Sequence, residues 1–69
     1  MPRKKDTKTR ILDAAMELFS KDGFKATTTR AIAERAGVNE VTLFRYFGSK
    51  ERLFFGIIEN EANARLGII

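Results

Sequence analysis

The chain has 69 residues and contains neither cysteine nor histidine. A chain of this length holds one small domain. Without those two residue types it can form no disulfide bond, no histidine-dependent active site and no zinc, haem or iron–sulfur centre, which leaves only carboxylate or carbonyl sites for a hard cation. We therefore expect no cofactor and no metal. Thirteen Lys and Arg against nine Asp and Glu give a net charge of +4, which favours a polyanionic partner, nucleic acid before membrane.

The excess of basic residues begins at the N-terminus. Residues 1–6 are expected to form a disordered basic tail, and the cations at this end of the chain are Arg3, Lys4, Lys5 and Lys8. These side chains are either simply solvated, or they add salt-dependent attraction to phosphates and reach into a minor groove. The start contains no apolar signal-peptide core, and no apolar run is long enough to span a bilayer, so we expect a cytoplasmic protein.

Glycines divide the rest of the chain into predicted helices. Between Thr7 and Asp22, apolar residues recur at steps of three and four and form one face of an amphipathic helix. These residues are Ile11, Leu12, Ala15, Leu18 and Phe19. Gly23 is expected to end the helix as a left-handed C-cap.

Two short helices follow, with only a tight turn between them. The threonines at residues 27–29 suit a helix N-terminus, because their hydroxyls accept backbone N–H groups. The second helix is predicted to run from there to about Ala36. Asn39 is a good N-cap for a third helix that ends before Gly48. Short helices joined in this way form a helix-turn-helix, so the predicted fold class is all-α, a small domain with a three-helix core and the start of a fourth helix.

The fourth helix is predicted to begin after Ser49, and its first turns are unusually apolar. They contain Leu53, Phe54, Phe55, Ile57 and Ile58. Successive residues of a helix differ in direction by about 100°, so these side chains cannot all face a three-helix core. Part of this surface is expected to need another packing partner.

The outer face of the third helix is the first candidate for a functional surface. If Leu43 and Phe47 point to the core, then Glu40, Val41, Phe44 and Arg45 lie on the opposite side. An exposed Phe beside an Arg suits a major groove, because the ring can contact a thymine methyl and the guanidinium can pair with guanine or phosphate. The alternative is that Phe44 belongs to the core and the helix phase is displaced by one position.

Two helix starts are candidate phosphate sites. The threonines at residues 27–29 and the pair Ser49 and Lys50 lie where backbone N–H groups are free to bind an anion. Both are also ordinary N-caps, but Lys50 caps nothing and its charge opposes the helix dipole. Arg30 has two interpretations as well, a contact to nucleic acid or an i,i+4 ion pair with Glu34.

Three segments of the chain resemble a known family. Residues 11–28 read ILDAAMELFSKDGFKATT, residues 32–38 read IAERAGV and residues 42–53 read TLFRYFGSKERL. In order and spacing they resemble the N-terminal DNA-binding domain of the TetR (tetracycline repressor) family of bacterial transcription regulators. The resemblance implies a helix-turn-helix whose third helix enters the major groove of a near-palindromic operator.

The resemblance also implies roles for individual residues. The positions that read bases are Arg30, Glu40, Val41, Thr42 and Phe44. The positions that contact phosphate and sugar are Thr28, Thr29, Arg45, Tyr46 and Lys50. One departure matters: the family usually has Tyr where this chain has Phe44, so a hydroxyl that could bind phosphate is replaced by apolar contact alone.

Members of the family resembled here are much longer and carry a C-terminal helical domain that binds a small molecule and supplies most of the dimer interface. We therefore expect residues 7–52 to form the DNA-binding domain and residues 53–69 to be a fourth helix that leads to that absent domain. The full-length parent is expected to be a homodimer, and this fragment a monomer or weak dimer without a small-molecule ligand or membrane partner.

Two functions from different classes remain. The first is sequence-specific binding of double-stranded DNA by a TetR-like transcription regulator, in most cases a repressor. The second is a protein-interaction module that binds a partner helix through exposed apolar residues, with little dependence on salt. An enzyme is not expected, because no nucleophile is paired with a base.

Overall fold

A computed structural model describes the backbone of residues 6–66 and the side chains of residues 6–60. It contains four helices: α1 (Thr7–Asp22), α2 (Thr29–Ala36), α3 (Glu40–Phe47) and α4 (Lys50–Leu66). No strand occurs within the described residues, so the predicted all-α fold is confirmed. Arg3, Lys4 and Lys5 of the predicted tail lie outside the described residues.

Each helix begins at a polar residue whose side chain accepts a backbone N–H group. Asn39 caps α3 by accepting from the Thr42 N–H at 2.9 Å, and Ser49 caps α4 by accepting from the Arg52 N–H at 3.1 Å. Both caps were predicted. Asp6 caps α1 by accepting from the Thr9 N–H at 2.8 Å, and this hydrogen bond lowers the pKa of the Asp6 carboxyl below its ordinary value.

Two glycines end their helices in different ways. Gly37 follows α2 with φ 78° and ψ 30°, the left-handed conformation that glycine adopts most easily. Gly23 follows α1 with φ 89° and ψ 159°. Its φ is positive, but its ψ lies outside the left-handed helical region, so the prediction of a left-handed C-cap at Gly23 is wrong. Residues 24–26 then form a turn, in which the Thr27 N–H donates to the carbonyl oxygen of Gly23 at 3.2 Å.

One large apolar side chain from each helix meets at the centre of the domain. Ile11, Ile32, Leu43 and Leu53 are completely buried. Small residues surround them, including Ala15 on α1 and the pair Ala33 and Ala36 on α2, and these allow the helix backbones to approach closely. The half-buried residues that pack against this core are Leu12, Leu18, Phe24, Val38, Phe47 and Ile57.

Two arginines fasten α1 to α2. The guanidinium of Arg10 donates to the carbonyl oxygens of Ala36, at 3.2 and 2.8 Å, and of Gly37, at 3.3 Å. Arg10 thereby satisfies carbonyls at the end of α2. Arg35 donates to both carboxylate oxygens of Glu17, at 3.0 and 2.8 Å. The Arg10 contacts fix the end of α2, whereas the Arg35–Glu17 pair is more than half exposed and adds little to the position of this helix.

The fourth helix buries one side and exposes the other. Leu53 is completely buried, whereas Phe54, Phe55 and Ile58 are 40%, 63% and 49% exposed. Phe54 still makes ring contacts at its inner edge, with centroid distances of 5.5 Å to Phe19 and 5.3 Å to Phe24. The prediction that the apolar residues of this helix cannot all face the core is confirmed.

Candidate nucleic-acid interface

The outer face of α3 is apolar and aromatic, with a cation in its midst. Val41 is 66% exposed, Phe44 42% and Tyr46 49%, and Arg45 is exposed beside them. Leu43, on the other side of the helix, is completely buried. The helix phase was therefore predicted correctly, and the alternative that Phe44 belongs to the core is wrong.

Thr42 lies at the edge of this face, half-buried. Its hydroxyl donates to Asn39 Oδ1 at 3.1 Å, and the same oxygen accepts the Thr42 backbone N–H at 2.9 Å. The hydroxyl hydrogen is thus engaged within the helix start. What Thr42 can offer to a base is mainly its methyl group, which suits a thymine methyl.

The start of α2 presents one free hydroxyl and one cation. Thr28 accepts the Ala31 N–H at 3.0 Å, which leaves its own hydroxyl hydrogen free to donate. Arg30 is 3.9 Å from Glu34, but the two side chains are 81% and 74% exposed. An ion pair this exposed is worth only a few tenths of a kcal/mol, so Arg30 can leave it for a stronger partner at little cost.

A hydrogen bond joins the start of α2 to the start of α3. Thr29 Oγ1 donates to Glu40 Oε2 at 2.6 Å, across eleven residues of sequence. Both residues are half-buried. The bond brings together one residue predicted to bind phosphate and one predicted to read a base, and it ties the two helices of the motif to each other.

Lys50 lies against the loop that leads into α2. Its Nζ donates to the carbonyl oxygens of Phe24, at 2.8 Å, and Thr27, at 3.0 Å, and it sits 4.3 Å from the centroid of the Phe24 ring. An ammonium group has three donors, so one donor remains beyond these two bonds. Lys50 therefore fixes the loop before Thr28 and keeps a charge and a donor near the start of α2.

Two predicted residues have different surroundings from those expected. Thr27 is 2% exposed, and its hydroxyl lies 3.1 and 2.7 Å from the carbonyl oxygens of Leu18 and Gly23. The expectation that Thr27 shares in a phosphate site is wrong, because its side chain faces the interior. Lys8 belongs to the first turn of α1 rather than to a tail, and it lines an open groove of about 390 Å³ together with Tyr46.

The contacts of Asp6 and Arg10 were not predicted from the sequence. Asp6 was recognisable, because an aspartate directly before an amphipathic stretch is a standard N-cap. The contact of Arg10 with Ala36 joins residues 26 positions apart, and no local pattern indicates such a bond.

The described residues contain no cluster of three or more acidic side chains that could hold a metal ion. In the same part of the chain, no helix combines the length and the apolar character that crossing a bilayer requires. The surface made by α3 and the start of α2 carries exposed cations and apolar groups on and beside the second helix of a helix-turn-helix, an arrangement characteristic of one class of nucleic-acid-binding proteins.

Comparison with protein families agrees with this class. The model of the bacterial regulatory proteins of the tetR family matches residues 11–57, which is most of the chain. The protein belongs to the TetR family. No solved structure gives a significant match.

Several named regulators are similar to this chain. An uncharacterised HTH-type transcriptional regulator of Bacillus subtilis, YvkB, is 46% identical over 91% of the chain and 33% of its own length. The HTH-type transcriptional repressor KstR of Rhodococcus jostii is 47% identical over 83% of the chain and 27% of its own length. The repressor NicS of Pseudomonas putida is 39% identical over 87% of the chain and 31% of its own length. The chain thus spans about a third of the length of these relatives.

Proposed function

We propose that this chain binds double-stranded DNA as the reading domain of a TetR-like transcription regulator. The observation that carries the proposal is the outer face of α3, where Phe44 and Val41 are exposed beside Arg45. Such a face is unfavourable in water but complementary to a major groove, which offers thymine methyl groups, guanine acceptors and phosphates. Relatives named as repressors support repression as the direction of control.

The proposed base contacts lie on α3 and at the start of α2. They come from Arg30, Glu40, Val41, Thr42 and Phe44. Arg30 can reach guanine O6 and N7 once it leaves Glu34, while Val41, Phe44 and the methyl of Thr42 provide apolar contact to thymine. Because Phe44 has no hydroxyl, it can contribute to the choice of base only through its ring.

The proposed phosphate contacts surround these residues. They come from Thr28, Thr29, Arg45, Tyr46 and Lys50, with Lys8 and the basic residues before it adding salt-dependent attraction. Thr28 supplies its free hydroxyl hydrogen and Lys50 its third donor. Thr29 contributes its backbone N–H at the start of α2, since its hydroxyl is bonded to Glu40. Backbone N–H groups at a helix start bind phosphate well.

The complete regulator is proposed to be a cytoplasmic, nucleoid-associated homodimer on a near-palindromic operator. In this proposal, a C-terminal domain that binds a small molecule packs on the exposed side of α4, at Phe54, Phe55 and Ile58. The 69-residue chain by itself would then be a monomer or weak dimer. Sedimentation at micromolar concentration tests this part, and a tight dimer of the chain would contradict it.

Selection from a random duplex library at two salt concentrations tests the DNA-reading proposal. Enrichment of a short motif, as a palindrome or a single half-site, is the expected result, with affinity falling as salt rises. Salt-sensitive binding without a motif would mean that this chain attracts phosphates but does not read sequence. No binding at either salt would contradict the proposal.

The exposed apolar side of α4 favours one alternative, a module that binds a partner helix. That function predicts little salt dependence. It also predicts that Arg30→Ala and Lys50→Ala leave partner binding unchanged, whereas substitutions at Phe55 and Ile58 abolish it. The same library selection separates the two functions, because an interaction module enriches no DNA motif.

A further inference from the structure

A hydrogen bond joins the side chains of Thr29 and Glu40 on the surface proposed to meet DNA. Here Thr29 Oγ1 and Glu40 Oε2 are 2.6 Å apart, and both residues are half-buried. A hydroxyl that donates to a carboxylate makes one of the stronger hydrogen bonds in proteins. The pair is thus already in place before DNA binds.

For Thr29, this bond removes the donor that a phosphate would need. A hydroxyl has a single hydrogen, and that of Thr29 points to Glu40. The neighbouring carboxylate would also repel a phosphate. Thr28 is different, because its hydroxyl accepts the Ala31 N–H at 3.0 Å and keeps its hydrogen. Of the two adjacent threonines, only Thr28 has a side chain suited to a phosphate.

For Glu40, the bond fixes the side chain at the start of the reading helix. Oε2 accepts from Thr29, while Oε1 accepts no hydrogen bond from the described side chains and N–H groups. An ionised carboxylate is only an acceptor. In the major groove, the complementary donor is the N4 amino group of cytosine.

We infer that Thr29 is a positioning residue, which holds Glu40 ready to accept a hydrogen bond from N4 of a cytosine. The inference rests on the proposed DNA-reading function and adds a base preference to it. Glu40 reads the base, and Thr29 acts through Glu40 without touching DNA by its side chain.

The test compares variants of the chain in selections from a random duplex library. The unchanged chain should enrich C·G at one position of its motif. Thr29→Val, which keeps the shape but lacks the hydroxyl, should lower that preference about tenfold, with binding at other positions and the salt dependence unchanged. Thr29→Ser should retain the preference because it restores the donor. Adding Thr29→Val to Glu40→Ala should cause no further change in the C·G preference.

Four results would overturn the inference. Thr29→Val could bind all duplexes uniformly more weakly, with the slope of log affinity against log salt concentration lower by about 1. This result would show that the hydroxyl contacts phosphate. An unchanged C·G preference in Thr29→Val, or loss of the preference in Thr29→Ser as well, would show that the hydroxyl does not position Glu40. A motif without a C·G preference that depends on Glu40 would show that Glu40 does not read cytosine.

Failure of the proposed function has a different signature. In that case the unchanged chain enriches no motif at all, and the inference about Thr29 falls with it. Thermal unfolding of each variant controls for folding. Should Thr29→Val fail to fold, Thr29→Ala takes its place as the variant without a hydroxyl, while Glu40→Ala tests whether the C·G preference depends on Glu40.

Discussion

Two helices of this domain expose aromatic side chains, but their surroundings differ. On α3, Phe44 is 42% exposed and lies beside the exposed Arg45, close to the start of α2 with Thr28 and Arg30. On α4, Phe55 is 63% exposed and Ile58 49%, whereas Leu53 on the opposite side of the same helix is buried in the core. An exposed aromatic residue by itself therefore does not indicate the kind of partner that binds it. The polar residues around it do.

The α3 face combines cations and helix N-termini, which suit the phosphates of DNA, with apolar side chains, which suit thymine methyl groups. The outer side of α4 offers an apolar surface. We attribute DNA reading to the first and domain packing to the second. The following predictions test this division, beginning with the largest effect.

The two sides of α4 should differ most in their effect on folding. Leu53→Ala removes a completely buried side chain and should lower the free energy of unfolding by about 2–5 kcal/mol. Phe55→Ala is the matched control on the same helix, and it should change that free energy by less than about 0.5 kcal/mol. Denaturant unfolding measures both. A large loss in Phe55→Ala would mean that the outer side of α4 contributes to this fold.

Arg30→Ala should weaken binding to the selected motif by about 1–3 kcal/mol and relax its sequence preference, because it removes a guanidinium that reads a base. Arg35→Ala is the control on the same helix, since Arg35 is exposed but paired with Glu17. It should leave DNA affinity unchanged. Titration of a fluorescent duplex measures the affinities, and equal losses in both variants would contradict the assignment of Arg30.

Lys50→Ala should weaken all duplexes alike and reduce the salt slope by about 1, because one phosphate contact is lost. It also removes the bonds to Phe24 and Thr27, so amide exchange in the loop before Thr28 should become faster. Lys21→Ala, at the exposed end of α1, is the control for charge alone. Loss of preference for particular bases in Lys50→Ala would show that the loop, rather than phosphate binding, is what Lys50 chiefly serves.

The smallest effect concerns the cap of α1. The Thr9 backbone N–H holds the pKa of Asp6 below its ordinary value of 3.8, so the charged carboxylate stabilises the folded state above that value. This contribution is lost as the pH falls through the lower, folded pKa. Thermal unfolding followed from neutral pH to below 3.8 should therefore show a steeper loss for the unchanged chain than for Asp6→Asn. Parallel curves would mean that the cap does not depend on charge.

The sequence predicted the helices well because their signals are local. Asn39 and Ser49 each cap a helix within three residues of themselves, and the spacing of Leu43 and Phe47 set the phase of α3. The outer position of Phe44 followed from that phase alone. Most of the candidate face could therefore be predicted from local sequence patterns.

The contacts that organise the face could not be predicted in this way. Lys50 reaches carbonyl oxygens 26 and 23 residues away, and Thr29 reaches Glu40 eleven residues away. Such bonds depend on how the helices pack, which short patterns do not encode. For the same reason, no local pattern shows that the side chains of three adjacent threonines differ: Thr27 is buried, Thr28 caps α2 and Thr29 donates to Glu40.

We propose that α3, and not α4, meets DNA. The most direct test follows the backbone amide signals of the chain by NMR while the selected duplex is added. We predict large changes for residues 28–30 and 40–46, and little change for residues 54–58. Changes concentrated in residues 54–58, with α3 unaffected, would contradict the claim.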